Sequence, residues 1–396
     1  MVSFAGFLDA ILDVIIDTST TIDSLSRTVE FLVSEVRKLN MKKWSLMLAA
    51  SMSVVTLASC AAPGGAPGEA DADGEAVGSA GSRLQTVLDR GELICGVDGG
   101  IPGFSFVEAG EYSGLDVDTC KAVAAALFDD PEAVVYRNLD STERFEALKG
   151  GEVDMLARNT TWTVSRDTSV GMEFAPTTFY DGQGMMVREA DGIAELTDFE
   201  GRSICVEAGT TTELNLADQM RQAGVTFEPQ TFQDADAAYA AYEAGSCEGM
   251  TSDKSQLVAR RSTLSNPDEH VLLDVTMSKE PLGPVTINND SAWFDTVKWV
   301  TYALIEGEEL GLTSENVEST VESTEDPNIK RFGGAEGTLG EDMGLPNDFA
   351  LRAIKHVGNY GEIYERNLGE GSQFALARGQ NALWTDGGLL YSPPFR

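Results

Sequence analysis

The fold is decided by two short extended runs, QGMMVR at Gln183–Arg188 and PVTIN at Pro284–Asn288. The segment between them alternates between strand and helix patterns, as a compact α/β unit does. Its predicted elements are a strand at Ser203–Glu207, helices at Thr212–Ala223 and Asp234–Ala244, a strand at Glu248–Thr251 and a helix at Lys254–Arg261. A segment of this length between two extended runs predicts a second lobe that is joined to the first by two crossovers.

The sequence on both sides of this segment predicts the first lobe. Its expected elements are helices at Leu84–Arg90, Thr119–Phe128, Phe145–Lys149 and Trp293–Gly307, and strands at Leu93–Val97 and Val153–Ala157. A long tail rich in Gly and Glu follows, and its apolar end at Asn381–Gly388 should pack on the first lobe. We therefore predict an α/β protein with lobe one at 84–187 and 288–396, including a C-terminal extension, and lobe two at 188–287.

Two aspartates precede the Ala-rich helix, in the motif GLDVD at Gly114–Asp118. Asp116 and Asp118 have the spacing of a paired-carboxylate site, but a simpler interpretation is available. Aspartates at a helix N-terminus accept hydrogen bonds from its free N–H groups and interact favourably with its dipole. We predict that these two residues cap the helix.

Composition limits the possible functions of the chain. It has 396 residues, 64 acidic against 28 basic ones, and a net charge of −36, which argues against binding to nucleic acid. It has only two histidines, and neither lies in a metal-ligand spacing. The sequence contains no HExxH, CxxC, phosphate-binding-loop or GxSxG motif. We expect neither a metal nor a cofactor.

A secretion signal begins at Met41, where MKK is followed by an uncharged apolar run from Trp44 to Ser59. This run is too short to span a membrane as a helix, and small residues precede its end. The ending Leu57–Cys60, LASC, resembles the bacterial lipobox, in which the cysteine is lipidated and becomes the first mature residue. We predict a lipoprotein signal peptide at 41–60 with lipid on Cys60; the alternative is an uncleaved anchor.

The residues on either side of this signal have different patterns. Residues 1–40 carry apolar residues at heptad spacing, as a coiled-coil or amphipathic helix does. Because an acidic leader is a poor start for a signal, we favour a start-site artefact, with translation beginning at Met41. Residues 61–83 are mostly Gly, Ala, Pro, Asp and Glu, which predicts a disordered linker.

A candidate anion-binding stretch runs from Arg158 to Tyr180, RNTTWTVSRDTSVGMEFAPTTFY. An arginine presents a planar fork that pairs with a carboxylate through two hydrogen bonds. Threonine and asparagine beside it supply further short donors. We predict that Arg166 binds a carboxylate; the alternative is an arginine in a surface salt bridge.

Five motifs in order resemble the polar amino-acid-binding proteins of bacterial ABC importers. They are GLDVD at 114–118, RNTTWT at 158–163, SRD at 165–167, DGQG at 181–184 and GTTTEL at 209–214. Within this family, solute-binding proteins of family 3, the general L-amino-acid-binding branch also has a long tail that ends in WTDGG. The resemblance covers residues 84–396. It implies a two-lobed type II periplasmic binding fold with two interlobe crossovers and a ligand cleft between the lobes.

The resemblance assigns roles to several residues of the first lobe. The arginine in the position of Arg166 takes the α-carboxylate of a free L-amino acid. Residues in the positions of Asn159 and Thr161 add hydrogen bonds to the ligand.

The second lobe completes the implied site. Thr210 and Thr211 lie on a turn whose N–H groups open a helix and favour an anion. An acidic residue in the position of Asp253 takes the ligand ammonium. Each residue has an alternative role as a helix cap.

Specificity is expected to be broad, with a preference for basic amino acids. Basic-specific relatives hold the ligand between aromatic residues, but Ile101 and Ser141 occupy those positions here. Phe104 is the nearest remaining aromatic residue. Asp98 lies where basic-specific relatives carry an acid that meets a cationic side chain, so we expect a preference for Arg, Lys or His.

Four cysteines remain besides Cys60, and export permits disulfides between them. Pairing within each lobe leaves the hinge free, whereas pairing across the lobes would lock it. We therefore predict Cys95–Cys120 and Cys205–Cys247; the alternative is four buried thiols.

The resemblance implies a binding protein that is not an enzyme. It would be a monomer, lipid-anchored in the periplasm or at the cell surface, that delivers amino acids to the permease of an ABC transporter. One rival is an enzyme on the same fold, such as a dehydratase acting on a carboxylate substrate. A second rival is a sensory domain, which would need a transmembrane helix and a signalling module.

Overall fold

The computed structural model describes residues 82–396. The predictions for 1–40, for the signal at 41–60, for Cys60 and for the linker at 61–83 therefore lie outside the described residues, apart from the last two linker positions. Within residues 82–396, no helix is both long enough and apolar enough to cross a lipid bilayer.

The described residues contain fifteen strands, which we number in chain order. They are β1 (Leu93–Val97), β2 (Gly100–Ile101), β3 (Ser105–Glu108), β4 (Glu111–Ser113), β5 (Val134–Asn138), β6 (Met155–Leu156), β7 (Met172–Phe174), β8 (Phe179–Asp181), β9 (Gln183–Arg188), β10 (Ser203–Glu207), β11 (Glu228–Phe232), β12 (Gly249–Asp253), β13 (His270–Leu272), β14 (Glu280–Leu282) and β15 (Val285–Ile287).

Thirteen α-helices lie in the same part of the chain. They are α1 (Arg83–Arg90), α2 (Leu115–Phe128), α3 (Arg144–Gly150), α4 (Val164–Thr168), α5 (Thr211–Ala223), α6 (Ala235–Glu243), α7 (Lys254–Arg261), α8 (Ser291–Glu309), α9 (Val317–Ser323), α10 (Pro327–Phe332), α11 (Leu339–Asp342), α12 (Phe349–Val357) and α13 (Tyr360–Asn367).

Two five-stranded sheets form the centres of two lobes. The sheet of lobe one has the order β5-β1-β6-β15-β7, and that of lobe two has the order β11-β10-β12-β9-β13. In lobe one, β1 runs parallel to β5 and β6, whereas β15 is antiparallel to its neighbours. Lobe two repeats this arrangement, with β10 parallel to β11 and β12 and with β9 antiparallel.

The crossovers between the lobes are β8 and β14, which pair with each other in antiparallel orientation as a separate two-stranded ribbon. Sequence reasoning missed both. It also set the lobe boundaries at 187/188 and 287/288, whereas β9 belongs to the second sheet from Gln183 onward and β15 belongs to the first. An extended apolar run shows that a strand forms, but it does not show which sheet the strand joins.

The prediction that Asp116 and Asp118 cap α2 is wrong. The helix begins at Leu115, its N-cap is Gly114, and no side chain caps it. Asp116 instead accepts a hydrogen bond from the backbone N–H of Asn159, and Asp118 pairs with Arg366. Gly114 has a φ of 125°, and a Cβ there would lie 2.1 Å from the carbonyl oxygen of Phe104, so only glycine suits this turn.

The core of lobe one packs α2, α8 and α12 together over the sheet. The alanines of α2 are fully buried, so α12 can approach it closely. Trp293, at the start of α8, is also buried, and its indole N–H donates to the carbonyl oxygen of Asp154 at 2.8 Å.

The C-terminal extension packs on lobe one, as predicted, and it contains the five short helices α9 to α13. Phe349, Tyr360 and Phe395 are buried in the same core as β1 and α2. The side-chain amide of Asn381 bonds both the N–H and the carbonyl oxygen of Tyr180 in the crossover strand β8, at 2.6 and 3.2 Å. The extension is therefore attached to the hinge as well as to the core.

Each lobe contains one disulfide. Cys95 is bonded to Cys120, with Cα atoms 6.2 Å apart, and Cys205 to Cys247, with Cα atoms 5.7 Å apart. These are the pairs predicted from the sequence, and neither joins one lobe to the other.

Candidate ligand-binding site

A polar cavity lies between the two lobes. Its walls come from the ends of strands in both sheets and from the helices that follow them. The lining residues are Asp98, Ile101, Ser141, Arg144, Arg158, Asn159, Thr161, Arg166, Glu207, Thr210, Thr211, Thr212, Ser252, Asp253 and Gln256. A concave site with polar walls between two lobes suits a small polar ligand.

Seven of the eight residues predicted to contact ligand line this cavity, and Phe104 does not. Phe104 is only 1 % exposed, and its ring packs edge-to-face on Phe179 with centroids 5.1 Å apart. The phenylalanine ring has no polar atom, so it is more stable in the apolar core than in the polar wall of the cavity. Ile101 and Ser141, which replace the expected aromatic pair, do reach the cavity.

Arg166 projects from the short helix α4, whose N-cap Thr163 accepts a hydrogen bond from the Arg166 N–H. One guanidinium nitrogen donates to the carbonyl oxygen of Thr161 at 2.8 Å, which fixes the side chain. Arg166 is only 7 % exposed, and no carboxylate of residues 82–396 lies within 4.0 Å of it, so it is not a surface salt-bridge residue. Burial lowers the pKa of Arg166 to about 10, so the group stays charged at neutral pH.

Asn159 has a strained backbone and an unused side chain. Its φ is 40°, in the left-handed region, and its N–H is held by Asp116 at 3.1 Å. Both the amide nitrogen and the amide oxygen of the side chain are buried without a hydrogen-bond partner within the described chain. Buried amides normally have partners, so these two atoms are available to a ligand.

In the second lobe, Thr210 is the N-cap of α5, since its hydroxyl accepts from the N–H of Glu213 at 3.1 Å. The alternative role considered for this threonine, a helix cap, is thus observed. The Thr211 hydroxyl contacts Thr161 of the first lobe at 3.3 Å and donates to Glu280 of the crossover strand β14 at 2.9 Å. Thr211 therefore connects the two lobes and the hinge.

Asp253 lies at the end of β12, directly before α7, but its side chain makes no capping hydrogen bond. Its Oδ1 atom is buried without a hydrogen-bond partner among residues 82–396. Burial raises the pKa of Asp253 well above its usual range, and the nearby Asp181 and Glu280 carboxyls raise it further. A cation beside Asp253 would reverse this effect, so the residue is suited to an ammonium group.

Asp98 lines the cavity, but its carboxylate is already paired. It accepts from Arg158 at 2.7 Å and from the N–H of Gly100 at 3.1 Å. Arg158 in turn donates to Ser141 at 3.0 Å and lies 3.6 Å from Glu207 across the cleft. Asp98 is therefore not free to pair with a cationic ligand side chain in this conformation.

Sequence reasoning missed several lining residues, above all Arg144, Arg158 and Glu207. Arg158 opens the stretch from which Arg166 was chosen, so its position beside the carboxyl end of a predicted strand was a usable signal. Arg144 and Glu207 carry no local signal, because each reaches the cavity from the end of an ordinary helix or strand.

The unpartnered atoms of the lining define what the cavity can bind. The donors are Arg144 Nε and Asn159 Nδ2, and the acceptors are Asn159 Oδ1, Glu207 Oε1 and Asp253 Oδ1. Within residues 82–396, no group of three His, Cys, Asp or Glu side chains is arranged to hold a metal ion. A ligand that carries both a carboxylate and an ammonium would satisfy atoms of both kinds.

Two α/β lobes joined by a ribbon of crossover strands around a charged cleft define a bilobal solute-binding protein. Residues 93–370 match the family model of bacterial extracellular solute-binding proteins, family 3, and the chain belongs to this family. The expected type II periplasmic binding fold is thereby confirmed.

Two curated proteins are similar over most of their length. The general L-amino acid-binding periplasmic protein AapJ of Rhizobium johnstonii is 49% identical over 327 residues, covering 81% of this chain and 96% of its own. The glutamate/glutamine/aspartate/asparagine-binding protein BztA of Rhodobacter capsulatus is 48% identical over 316 residues, covering 80% and 94%.

A solved structure is similar to the same extent. An ABC transporter periplasmic binding protein from Brucella ovis with glutathione bound has a TM-score of 0.78 and 48% identity, covering 80% of this chain and 100% of its own.

Proposed function

We propose that this protein captures free L-amino acids outside the cytoplasm and delivers them to the permease of an ABC importer. The observation that carries the proposal is the pairing of a fixed, buried guanidinium with a buried, unpartnered carboxylate across one cleft. Arg166 would bind the α-carboxylate and Asp253 the ammonium. The two similar curated proteins are amino-acid-binding proteins by name, which supports the same class of ligand.

Ligand binding should favour the closed arrangement of the lobes. Arg166 and Asn159 belong to lobe one, whereas Asp253 belongs to lobe two, so both ends of the ligand are bound only when the cleft is closed. The contact between Thr161 and Thr211 at 3.3 Å shows that the lobes touch in this conformation. A permease could distinguish the loaded protein by this shape.

Isothermal titration calorimetry against a panel of amino acids tests the proposal. The protein is first unfolded, dialysed free of carried-over ligand and refolded, with both disulfides kept intact. We expect one binding site and measurable affinity for several L-amino acids, and none for the same amino acids with an N-acetyl group. Glutathione belongs in the panel because the Brucella ovis structure carries it. Absence of heat with every free amino acid would contradict the proposal.

We also propose that the protein is not an enzyme. Of the cavity carboxylates, Asp98 is paired with Arg158 and Asp253 is positioned for an ammonium, while Glu207 lies 3.6 Å from Arg158. A dehydratase would need an acid or base over the reacting carbon. Quantitative recovery of each bound amino acid after prolonged incubation is the expected result, and a new product would support the enzyme alternative.

The lipid anchor on Cys60, a periplasmic or cell-surface position and a monomeric state complete the proposal. The anchor rests on the LASC sequence that ends the signal at 41–60. Metabolic labelling with a radioactive fatty acid should mark the wild-type protein and leave Cys60→Ser unlabelled. Equal labelling of the wild-type protein and Cys60→Ser would mean that the lipid is attached elsewhere. Size-exclusion chromatography with light scattering tests the monomeric state.

A further inference from the structure

A second groove lies beside the crossover strand β8 and has no assigned role. Its walls come from α7 of lobe two, through Lys254, Ser255 and Val258, and from residues 376–381 of the C-terminal extension, while β8 forms its floor. We call this the hinge groove. It shares no lining residue with the ligand cavity. Among residues 82–396, no hydrogen bond or ion pair joins its two walls.

Helix α7 separates the hinge groove from the ligand cavity. Gln256 lines the cavity, whereas Lys254 and Val258 line the groove. Because successive residues of an α-helix are about 100° apart, Lys254 and Val258 lie on the side of α7 opposite Gln256. On the cavity side, Arg260 of the same helix lies 4.0 Å from Asp98 of lobe one. The helix is therefore enclosed by lobe one on one side and by the extension on the other.

The first turn of α7 is bonded to the crossover strand. The Asp181 carboxylate, at the end of β8, accepts hydrogen bonds from the backbone N–H of Ser255, at 3.1 Å, and from its hydroxyl. The N–H of Lys254 donates to the carbonyl oxygen of Gly182 at 2.9 Å. The start of the helix is thus fixed at the hinge. Val258 lies one turn further along, where a rotation of lobe two about the hinge would move it.

The opposite wall of the groove is attached firmly to lobe one through Arg378. Its guanidinium pairs with Glu308 of α8 through two hydrogen bonds of 3.0 and 3.1 Å, and its Nε donates to the carbonyl oxygen of Asn381 at 2.8 Å. The guanidinium also lies over the rings of Tyr360 and Tyr364, 5.1 and 4.9 Å from their centroids. Paired charges and cation–π contacts of this kind hold a segment in one position. The wall therefore moves with lobe one.

We propose that the hinge groove narrows as the ligand cleft opens, so that contact between α7 and residues 376–381 limits the opening. Each lobe has its own apolar core and its own disulfide, so each rotates as a rigid body. A rotation that moves α7 away from the cleft wall carries it toward the extension. The space left between them determines how stable the open state is, and hence the apparent affinity for every ligand alike. The effect on affinity rests on the proposed function, whereas the shape of the ligand-free protein does not.

Val258→Trp tests this proposal, because a larger side chain in the groove should stop α7 from approaching the extension. Val258 is partly exposed in the groove, so the conformation described here has room for the change. By small-angle X-ray scattering, ligand-free Val258→Trp should have a smaller radius of gyration than ligand-free wild type, and the two should be equal when saturated with L-glutamine. By calorimetry, affinity for L-glutamine and L-alanine should rise by the same factor. This factor is up to about tenfold if about a tenth of wild type is closed without ligand.

Two further variants complete the experiment. Val135→Trp is the matched control, since it makes the same substitution at a valine that is 41 % exposed on the edge strand β5; it should change neither the radius nor the affinity. Asn381→Ala should act in the opposite direction, because it removes both hydrogen bonds that fix the wall to Tyr180. Its ligand-free radius should exceed that of wild type, with the ligand-bound radius unchanged. This variant tests the proposal even if Val258→Trp does not fold.

Three results would overturn the inference. The first is a ligand-free radius of folded Val258→Trp that equals that of wild type, and the second is a wild-type radius that does not change when L-glutamine binds. The third is a gain in affinity for only one of the two amino acids, which would mean that the substitution alters the cavity rather than the hinge. If wild type binds neither amino acid, the proposed function fails, while the radii of the ligand-free proteins still test the groove.

Discussion

Replacing Arg166 with methionine removes the charge and keeps much of the volume of the side chain. Arg166 spends one donor on the carbonyl oxygen of Thr161, so it retains donors for two hydrogen bonds to a ligand carboxylate. Each charge-assisted bond is worth about 1.5–3 kcal/mol. Together they would account for a factor of about 10² to 10⁴ in affinity.

The whole of this range is the expectation. The burial of Arg166, which lowers its pKa to about 10, is a cost of folding that is present with and without ligand, so it does not reduce the loss of affinity. We therefore expect glutamine and alanine to bind about 10² to 10⁴-fold more weakly to Arg166→Met. A loss in this range should be the same for both ligands, since they share the α-carboxylate.

The assay is calorimetry on refolded, ligand-free protein, with thermal melts to show that the variant folds. Arg221→Met is a matched control, because the side chain of that arginine is 77 % exposed and, among residues 82–396, its only salt-bridge partner is its neighbour Asp218 on α5. It should leave affinity unchanged. If Arg166→Met bound either ligand within about threefold of wild type, the assignment of the carboxylate site would be wrong.

Three further predictions follow from individual residues. Ligand binding should release a proton from Asp253 at pH values below its raised pKa, so ligand affinity should rise with pH. Calorimetry in two buffers of different ionisation enthalpy measures the proton release, which Asp253→Asn should abolish. Burial raises the pKa of Asp116 to about 7, so its contribution to stability is lost as pH rises from about 4 through 7. Urea melts should then show that the free energy of unfolding of Asp116→Asn exceeds that of wild type by about 1–4 kcal/mol at pH 8 but not at pH 4. An equal difference at both pH values would contradict the raised pKa of Asp116. Gly114→Ala should lower the free energy of unfolding by more than about 2 kcal/mol, because its Cβ would lie 2.1 Å from the carbonyl oxygen of Phe104. Gly110 also has a positive φ, of 90°, but it has open space around it, so Gly110→Ala should lower the free energy of unfolding by less.

Strands and helices with strong local signals could be predicted from the sequence. The run LICGV at Leu93–Val97 and the helix at Lys254–Arg261 have the predicted bounds. The crossover strands β8 and β14 were missed because each has three residues, and they pair across about a hundred positions of the chain. Short strands of this kind are defined by their partner rather than by their own pattern.

In the site, too, local motifs could be recognised from the sequence, whereas contacts between distant residues could not. Arg166 could be chosen from a local motif, whereas the state of Asp98 depends on Arg158, sixty residues away in the chain. Asp116 was misinterpreted for the same reason. Its position at a helix start suggested a cap, but its actual partner is the loop that carries Asn159. Buried polar partners are set by tertiary structure, and neighbouring sequence does not reveal them.

The central claim is that one cleft binds both charged ends of an amino acid, and a crystal structure with glutamate bound tests it most directly. We expect the α-carboxylate to lie within hydrogen-bond distance of Arg166 and the ammonium within hydrogen-bond distance of Asp253. Glutamate bound outside this cavity, or with its ammonium directed away from Asp253, would contradict the claim.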